Sequence, residues 1–221
     1  MQAVGILGGT FNPVHNGHLQ CAQDLLDHFQ LNEVRLIPCA IPAHKSTPEL
    51  NGETRCYLLE QAVKTDARLV VDTLELDAAK QASTPSFTVN TLRQFRYHYG
   101  DTTAIYFAMG VDAFEHFESW HEWQEITRLC NIVVMQRPGY SATTLYSSPR
   151  KGWVKRLRTT FEGHQKAFGS VYGQSFTQVD VSSSQIRARL QQGQSVKHLV
   201  PQVVEQFFQE QQLFNLNSVK P

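Results

Sequence analysis

The sequence predicts an α/β fold: a doubly wound parallel sheet with helices on both faces and a C-terminal helical portion. Apolar runs of strand length alternate along the chain with segments whose apolar residues recur at helical spacing, which is typical of a covered parallel sheet. A glycine-rich stretch, GGTFNPVHNGHL (8–19), follows the first apolar run. The chain has 221 residues, 41% of them hydrophobic, enough for a sizeable core. We therefore expect a single domain over residues 1–221, with residues 182–215 as its C-terminal helical portion.

The first half of the chain is predicted to alternate strands and helices. Apolar runs predict strands at 3–7, 33–38 and 103–110, and residues 68–76 begin as a strand before they turn polar. Apolar residues at helical spacing predict helices at 17–31, 53–66 and 88–100. Thr88 and Gly100 are residue types that often begin and end a helix.

The second half is predicted to continue this alternation with shorter elements. Two short helices, 112–117 and 123–130, lie on either side of a kink. After them the residue patterns predict a strand at 131–139, a surface loop at 140–152, an exposed helix at 153–168, a strand at 175–181 and helices at 182–193 and 200–214.

Four unusual segments come directly after predicted strands: 8–18, 39–45, 110–123 and 182–187. Parallel α/β sheets bind their ligands at the carboxyl ends of the strands, near the point where the strand order reverses. We therefore expect these four segments to converge on one crevice.

The segment after the first strand has the composition of an anion-binding site. Gly8 and Gly9 allow a ligand to approach the backbone closely. His15 and His18 are three residues apart and share one side of a helix start, and Gly17 leaves that side open. A helix N-terminus carries free N–H groups and positive potential, to which imidazoles add donors. This combination predicts a polyphosphate site, although either histidine alone is equally compatible with a capping or packing role.

The sequence gives less support to other interpretations of the same segment. Neither the GxxxxGK[ST] nor the GxGxxG spacing is present. A metal site at His15 and His18 lacks a third ligand with suitable spacing.

A second strand-to-helix junction, VDVSSSQIRARL (179–190), is predicted near the C-terminus. Ser182, Ser183 or Ser184 can cap the helix, and Arg187, one turn later, can bind an anion at the helix start. The junction alone fits an ordinary capped surface helix, but together with the histidine segment it indicates a second phosphate-binding element.

Composition limits the partners and the compartment. Lysine plus arginine and aspartate plus glutamate each number 20, a balance that argues against binding to duplex nucleic acid. The N-terminus does not resemble a signal peptide, and no segment approaches the length of a membrane helix. The spacing of the four cysteines matches no zinc site and favours reduced thiols in the cytoplasm: Cys21, Cys39, Cys56 and Cys130.

GGTFxPxHxGH near the N-terminus and SSSxIR near the C-terminus together resemble the nucleotidyltransferases that share HxGH with class I aminoacyl-tRNA synthetases. PSFT (85–88) and the FxxWxxW pattern within GVDAFEHFESWHEW (110–123) narrow the resemblance to the bacterial nicotinate-nucleotide adenylyltransferase family. IPAHK (41–45) and QRPG (136–139) also match. Asn12 stands where the family often has Asp, and we expect it to keep the loop-bracing hydrogen bonds of that position.

The resemblance implies a Rossmann-like fold and a reaction of NAD biosynthesis. The family joins ATP to nicotinate mononucleotide and releases nicotinate adenine dinucleotide and pyrophosphate, with Mg²⁺ held mainly by the ATP phosphates. Adenylylation of nicotinamide mononucleotide or of another phosphate monoester is the alternative within enzymes. A non-catalytic nucleotide-binding regulator is the alternative outside them.

The same resemblance implies roles for individual residues. The phosphates of ATP would be contacted by Thr10, His15, His18, Ser184 and Arg187, assisted by Gly8, Gly9, Gly17 and Ser183. The ribose and adenine would lie near Gly110, Asp112 and Arg137. Trp120 would stack on the pyridine ring. The ring carboxylate would be held by Thr88 and by backbone N–H groups near Phe87 and His121. The phosphate of the mononucleotide would be held by His44 and Lys45.

Overall fold

The structure is a computed structural model, which describes residues 1–40, 47–81, 86–136, 157–158, 160–177 and 179–211. Within these ranges seven strands form one sheet. In chain order they are β1 (Ala3–Gly9), β2 (Glu33–Pro38), β3 (Leu69–Val71), β4 (Ala104–Gly110), β5 (Asn131–Met135), β6 (Leu157–Arg158) and β7 (Val171–Gln174). The strand order is β3-β2-β1-β4-β5-β7-β6, and every neighbouring pair is parallel.

Helices connect and cover these strands. They are α1 (Asn16–His28), α2 (Gly52–Val63), α3 (Leu74–Gln81), α4 (Thr88–Tyr99), α5 (Val111–Glu115), α6 (Trp123–Leu129), α7 (Ser183–Gln191) and α8 (Gln202–Gln211), with a 3₁₀ turn at Phe117–Ser119. None of the helices in the described ranges is long and apolar enough to cross a membrane.

The sheet is buried on both faces, as the apolar runs predict. Tyr106 of β4 packs in a core with residues of α1, α2, α7 and α8. Its neighbour Phe107 packs on the opposite face with residues of α4 and α6. Because successive side chains of a strand point to opposite faces, a run such as AIYFAMG contributes to both cores. The doubly wound α/β fold is therefore confirmed.

The order of the strands reverses beside β1. β2 and β3 lie on one side of it, and β4 and β5 lie on the other. Leu7 of β1 pairs with Ala108 of β4, so the carboxyl ends of these two strands lie next to each other. The segments 8–18 and 110–123 consequently leave the sheet at the same edge.

Two predicted elements are wrong, and a third is short. Residues 68–76 begin as a strand, as predicted, but the strand is limited to Leu69–Val71, because Asp72 Oδ1 accepts a hydrogen bond from Leu74 N (3.0 Å) at the start of α3. The exposed helix at 153–168 is wrong, since β6 pairs with β7 and residues 160–168 are neither helix nor strand.

The strand predicted at 175–181 is displaced along the chain. The structure has the strand earlier, at Val171–Gln174, where Val171 and Tyr172 are buried against the core and pair with β5. The loop predicted at 140–152 lies outside the described residues.

Candidate active site

The β1–α1 junction brings the two motif histidines together. His15 has extended backbone geometry (φ −146°, ψ 169°) and precedes the first residue of α1, and His18 lies in the first turn. Their rings stack with centroids 3.6 Å apart and an interplanar angle of 21°. The sequence prediction that both imidazoles share one side of the helix start is confirmed.

A backbone contact orients the His18 ring. The His15 N–H donates a hydrogen bond to His18 Nδ1 (3.3 Å), and Phe11 packs edge-on against the ring at 4.9 Å. Since Nδ1 accepts this bond, the proton of a neutral His18 ring resides on Nε2. His18 therefore has an N–H donor on the side of the ring away from the backbone.

His15 differs from His18 in its burial. Only 6% of His15 is exposed, and burial lowers its pKa to about 4. Its Nδ1 is buried and has no hydrogen-bond partner among the described residues. The ring is therefore neutral at physiological pH and has an unsatisfied polar atom within the junction, which is uncommon in folded proteins.

Glycines make the junction compact. A Cβ on Gly17 would lie 3.0 Å from Val181 Cγ1 and 3.1 Å from His15 Nδ1. A Cβ on Gly9 would lie 3.1 Å from the Phe11 ring. Both positions consequently have no room for a side chain unless their neighbours move.

Hydrogen bonds from α2 and the segment before it brace the loop. Asn12 Oδ1 accepts from Leu50 N (3.1 Å), and Asn12 Nδ2 donates to Glu49. The buried Arg55 donates from Nη1 to the Thr10 carbonyl (2.7 Å). Asn12 thus retains the loop-bracing contacts expected of it, as predicted.

The C-terminal junction docks directly on this loop. Ser182 caps α7 by accepting from Gln185 N (3.2 Å), whereas Ser183 Oγ donates to the Pro13 carbonyl (2.9 Å). Arg187 Nη1 donates to the Asn12 carbonyl (2.8 Å). Two segments separated by about 170 residues therefore meet at one place, as the sequence predicted, and the exposed Ser184 lies beside them.

A cavity of about 250 Å³ lies at the carboxyl ends of β1 and β4. Gly8 and Gly9 line one part of it, and Gly110, Thr88 and Trp120 line another. The histidine pair and Arg187 do not line this cavity, but the glycine backbone of β1 runs from it towards them. The structure thus brings most of the predicted residues to one edge of the sheet.

The far wall of the cavity is aromatic. Trp120 is half-buried, with its ring edge-on to Phe107 (6.3 Å) and Phe117 (5.6 Å), so one part of the indole remains accessible. The rings of Phe87 and His121 lie 4.6 Å apart beside it. Asp112 is exposed in the first turn of α5. His44, Lys45 and Arg137 lie outside the described residues.

Sequence reasoning missed Glu75, a carboxylate in the cavity wall. It accepts a hydrogen bond from Thr91 Oγ1 (2.9 Å), and burial raises its pKa despite the bonds from Thr91 and Ser86. The polar alternation late in 68–76 did not indicate a helix there, and only the first turn of α3 brings this carboxyl against α4. Glu49 was also missed, since a single acidic residue in a loop has no sequence pattern.

Comparisons with known proteins agree with this architecture. The cytidylyltransferase-like family matches residues 6–189. A protein of Hydrogenovibrio crunogenus named a probable nicotinate-nucleotide adenylyltransferase is 36% identical over 216 residues, which are 96% of this chain and 97% of the relative. One of Marinomonas sp. with the same name is 32% identical over 216 residues, 97% and 95% of the two chains.

A solved structure shares the fold. The Plasmodium falciparum nicotinic acid mononucleotide adenylyltransferase complexed with NaAD superimposes with a TM-score of 0.72 over 98% of this chain and 99% of that one, at 16% identity. The family match and the near-full-length relatives show that the chain belongs to the nicotinate-nucleotide adenylyltransferases of the cytidylyltransferase-like family.

Proposed function

We propose that the protein transfers the adenylyl group of ATP to nicotinate mononucleotide and releases pyrophosphate. The observation that carries the proposal is the contact between the starts of α1 and α7, where Ser183 and Arg187 bond to the backbone of the loop that ends in His15. One triphosphate placed there would meet donors from both ends of the chain. The adjoining aromatic cavity offers a stacking surface for a pyridine ring.

In this mechanism the mononucleotide phosphate is the nucleophile. One of its oxygens forms a bond to the α-phosphorus of ATP, the bond from that phosphorus to the bridging oxygen breaks, and pyrophosphate leaves with the electron pair. A phosphate monoester is already anionic near neutral pH, so positioning and charge stabilisation suffice. His18 Nε2–H donates to the α-phosphate, and Thr10 and the neutral His15 also contact the phosphates of ATP. Arg187 and Ser184 hold the departing pyrophosphate.

ATP enters as its magnesium complex, in which the phosphates and water hold the ion. The described ranges contain no group of three or more His, Cys, Asp or Glu side chains suited to a metal. Held by the phosphates and water, the ion enters as part of the nucleotide substrate. The four cysteines all lie in the described ranges and form no disulfide there, which supports the reducing cytoplasm as the compartment.

The remaining proposed roles concern the two nucleosides. Gly110 and Asp112 flank the ATP ribose, with Arg137 at the adenine. Trp120 stacks on the pyridine ring, and Thr88 with the N–H groups near Phe87 and His121 holds its carboxylate. His44 and Lys45 contact the phosphate of the mononucleotide.

The proposal is tested by pyrophosphate release from MgATP with nicotinate mononucleotide, nicotinamide mononucleotide or phosphopantetheine supplied alone. We expect release with the nicotinate compound. No release with any of the three would indicate a regulator, and preference for the amide would reverse the substrate assignment.

Trp120→Ala is expected to raise KM for the mononucleotide, whereas Trp120→Phe, which keeps an aromatic face, should raise it less. A KM change confined to ATP would show that the subsites are exchanged.

A further inference from the structure

We propose that Glu49 competes with the phosphates of ATP for Arg187, and so weakens the binding of both ATP and the released pyrophosphate. The inference rests on the proposed function, because it takes Arg187 to be a ligand of the phosphates. Glu49 itself makes no proposed contact with substrate.

The Glu49 carboxylate is held at both of its oxygens. Oε1 lies 3.0 Å from Arg187 Nε, and Oε2 accepts from Asn12 Nδ2. Arg187 Nη1 donates at the same time to the Asn12 carbonyl (2.8 Å). Glu49, Asn12 and Arg187 thus form a closed triangle of polar contacts at the point where the two junctions meet.

The backbone around Glu49 holds this carboxylate in place. The next residue, Leu50, is buried, and its N–H donates to Asn12 Oδ1 (3.1 Å). The Leu50 carbonyl accepts from Arg55 Nε (3.1 Å), and Arg55 also binds the Thr10 carbonyl. Glu49 is therefore tied to the same loop that carries the motif histidines, and is presented to Arg187 from a fixed position.

A carboxylate and a phosphate satisfy the same guanidinium donors. Partial burial opposes ionisation of Glu49, but hydrogen bonds from its own backbone and Asn12, together with Arg187, hold its pKa below the ordinary value. It is thus an anion at neutral pH. Because 43% of its side chain is exposed, the ion pair is of the weak, solvent-screened kind that a multiply charged phosphate can displace. When pyrophosphate leaves, Glu49 can bind Arg187 again.

The test uses Glu49→Gln, which removes the negative charge and leaves one acceptor oxygen, so the side chain can no longer accept from Asn12 Nδ2 and Arg187 Nε through two oxygens. KM for ATP and the inhibition constant of pyrophosphate are expected to fall about two- to fivefold, the range of a screened ion pair. KM for the mononucleotide should not change. Glu53→Gln is the matched control, since it removes the same charge from an exposed position in the first turn of α2. An unchanged or raised KM for ATP in Glu49→Gln would overturn the proposal.

A double-mutant cycle separates competition at Arg187 from a general charge effect. In an Arg187→Gln background, Glu49→Gln should no longer tighten the binding of pyrophosphate. A gain of equal size in that background would overturn the proposal. Calorimetric titration with MgATP makes the same comparison of affinities without turnover. An enzyme that releases no pyrophosphate would therefore refute the proposed function, while the titration would still test the role of Glu49.

Discussion

The β1–α1 junction and the serine turn that begins α7 are built in different ways. The β1–α1 junction is buried: His15 and Asn12 are 6% and 5% exposed, and two glycines leave no room for side chains. The α7 junction lies at the surface, where Ser182 and Ser184 are exposed and an ordinary serine cap begins the helix.

This difference separates a preorganised half of the site from a docked half. Packing holds the first half, because the buried side chains of His15 and Asn12 cannot move without opening the core. In the second half Ile186 is packed in the core, but the serine turn itself lies at the surface and meets the first half through polar contacts, Ser183 to Pro13 and Arg187 to Asn12. Asn16 Nδ2 also donates to the His198 carbonyl (2.8 Å). Changes in the first half are therefore expected to affect chemistry and folding, and changes in the second half to affect mainly nucleotide affinity.

The largest expected effect belongs to His18 in the buried half. His18→Ala should lower kcat roughly a hundredfold or more, because it removes a fixed donor to the transition state. Steady-state pyrophosphate release measures it. His98→Ala, which alters an exposed histidine of α4, is the control and should leave kcat unchanged. A near-normal kcat in His18→Ala would remove this residue from the mechanism.

The pH dependence of stability provides the next test. His15 has a folded pKa of about 4 against an ordinary value of 6.5, so its stabilising contribution is complete above pH 6.5 and is lost as the pH falls towards 4. The loss can reach about 3 kcal/mol in free energy of unfolding. Urea unfolding at pH 7.5 and 4.5 should show a smaller loss in His15→Asn, which cannot titrate. Equal losses in both proteins would contradict the neutral, buried state of His15.

The smallest effects are expected at the serines of the docked half. Ser182→Ala should lower stability by about 1 kcal/mol through loss of the cap, with little change in KM for ATP. Ser184→Ala should leave stability unchanged and raise KM for ATP about two- to fivefold, because it removes one hydrogen bond to the phosphates. Thermal unfolding and initial rates measure the pair. If both variants behaved alike, capping and phosphate binding would not be separate tasks in this turn.

The predictable parts of the fold are those with strong local signals. β4 and α4 have the expected type and almost the expected bounds, because a continuous apolar run and a clear helical period coincide with the tertiary environment. Where local signals were weak the predictions failed. Val171–Gln174 became the strand instead of 175–181 because pairing with β5 decided which residues were buried.

The predictable parts of the site follow the same rule. His15, His18 and Arg187 stand in compact motifs at strand-to-helix boundaries, so chemistry and spacing identify them together. Glu49 and Glu75 have no such pattern. Their place in the site depends on contacts with residues distant in the chain, Arg187 for Glu49 and Thr91 for Glu75.

The sequence by itself determined the sheet, its covering helices and the two turns proposed to bind phosphates, because periodicity and residue chemistry act over short stretches of chain. Only the tertiary structure decided which atoms join these turns, that His15 is buried and neutral, and that Glu49 forms an ion pair with Arg187. Burial, pKa and competition for a donor depend on which groups surround a side chain in space, and those groups come from distant parts of the sequence.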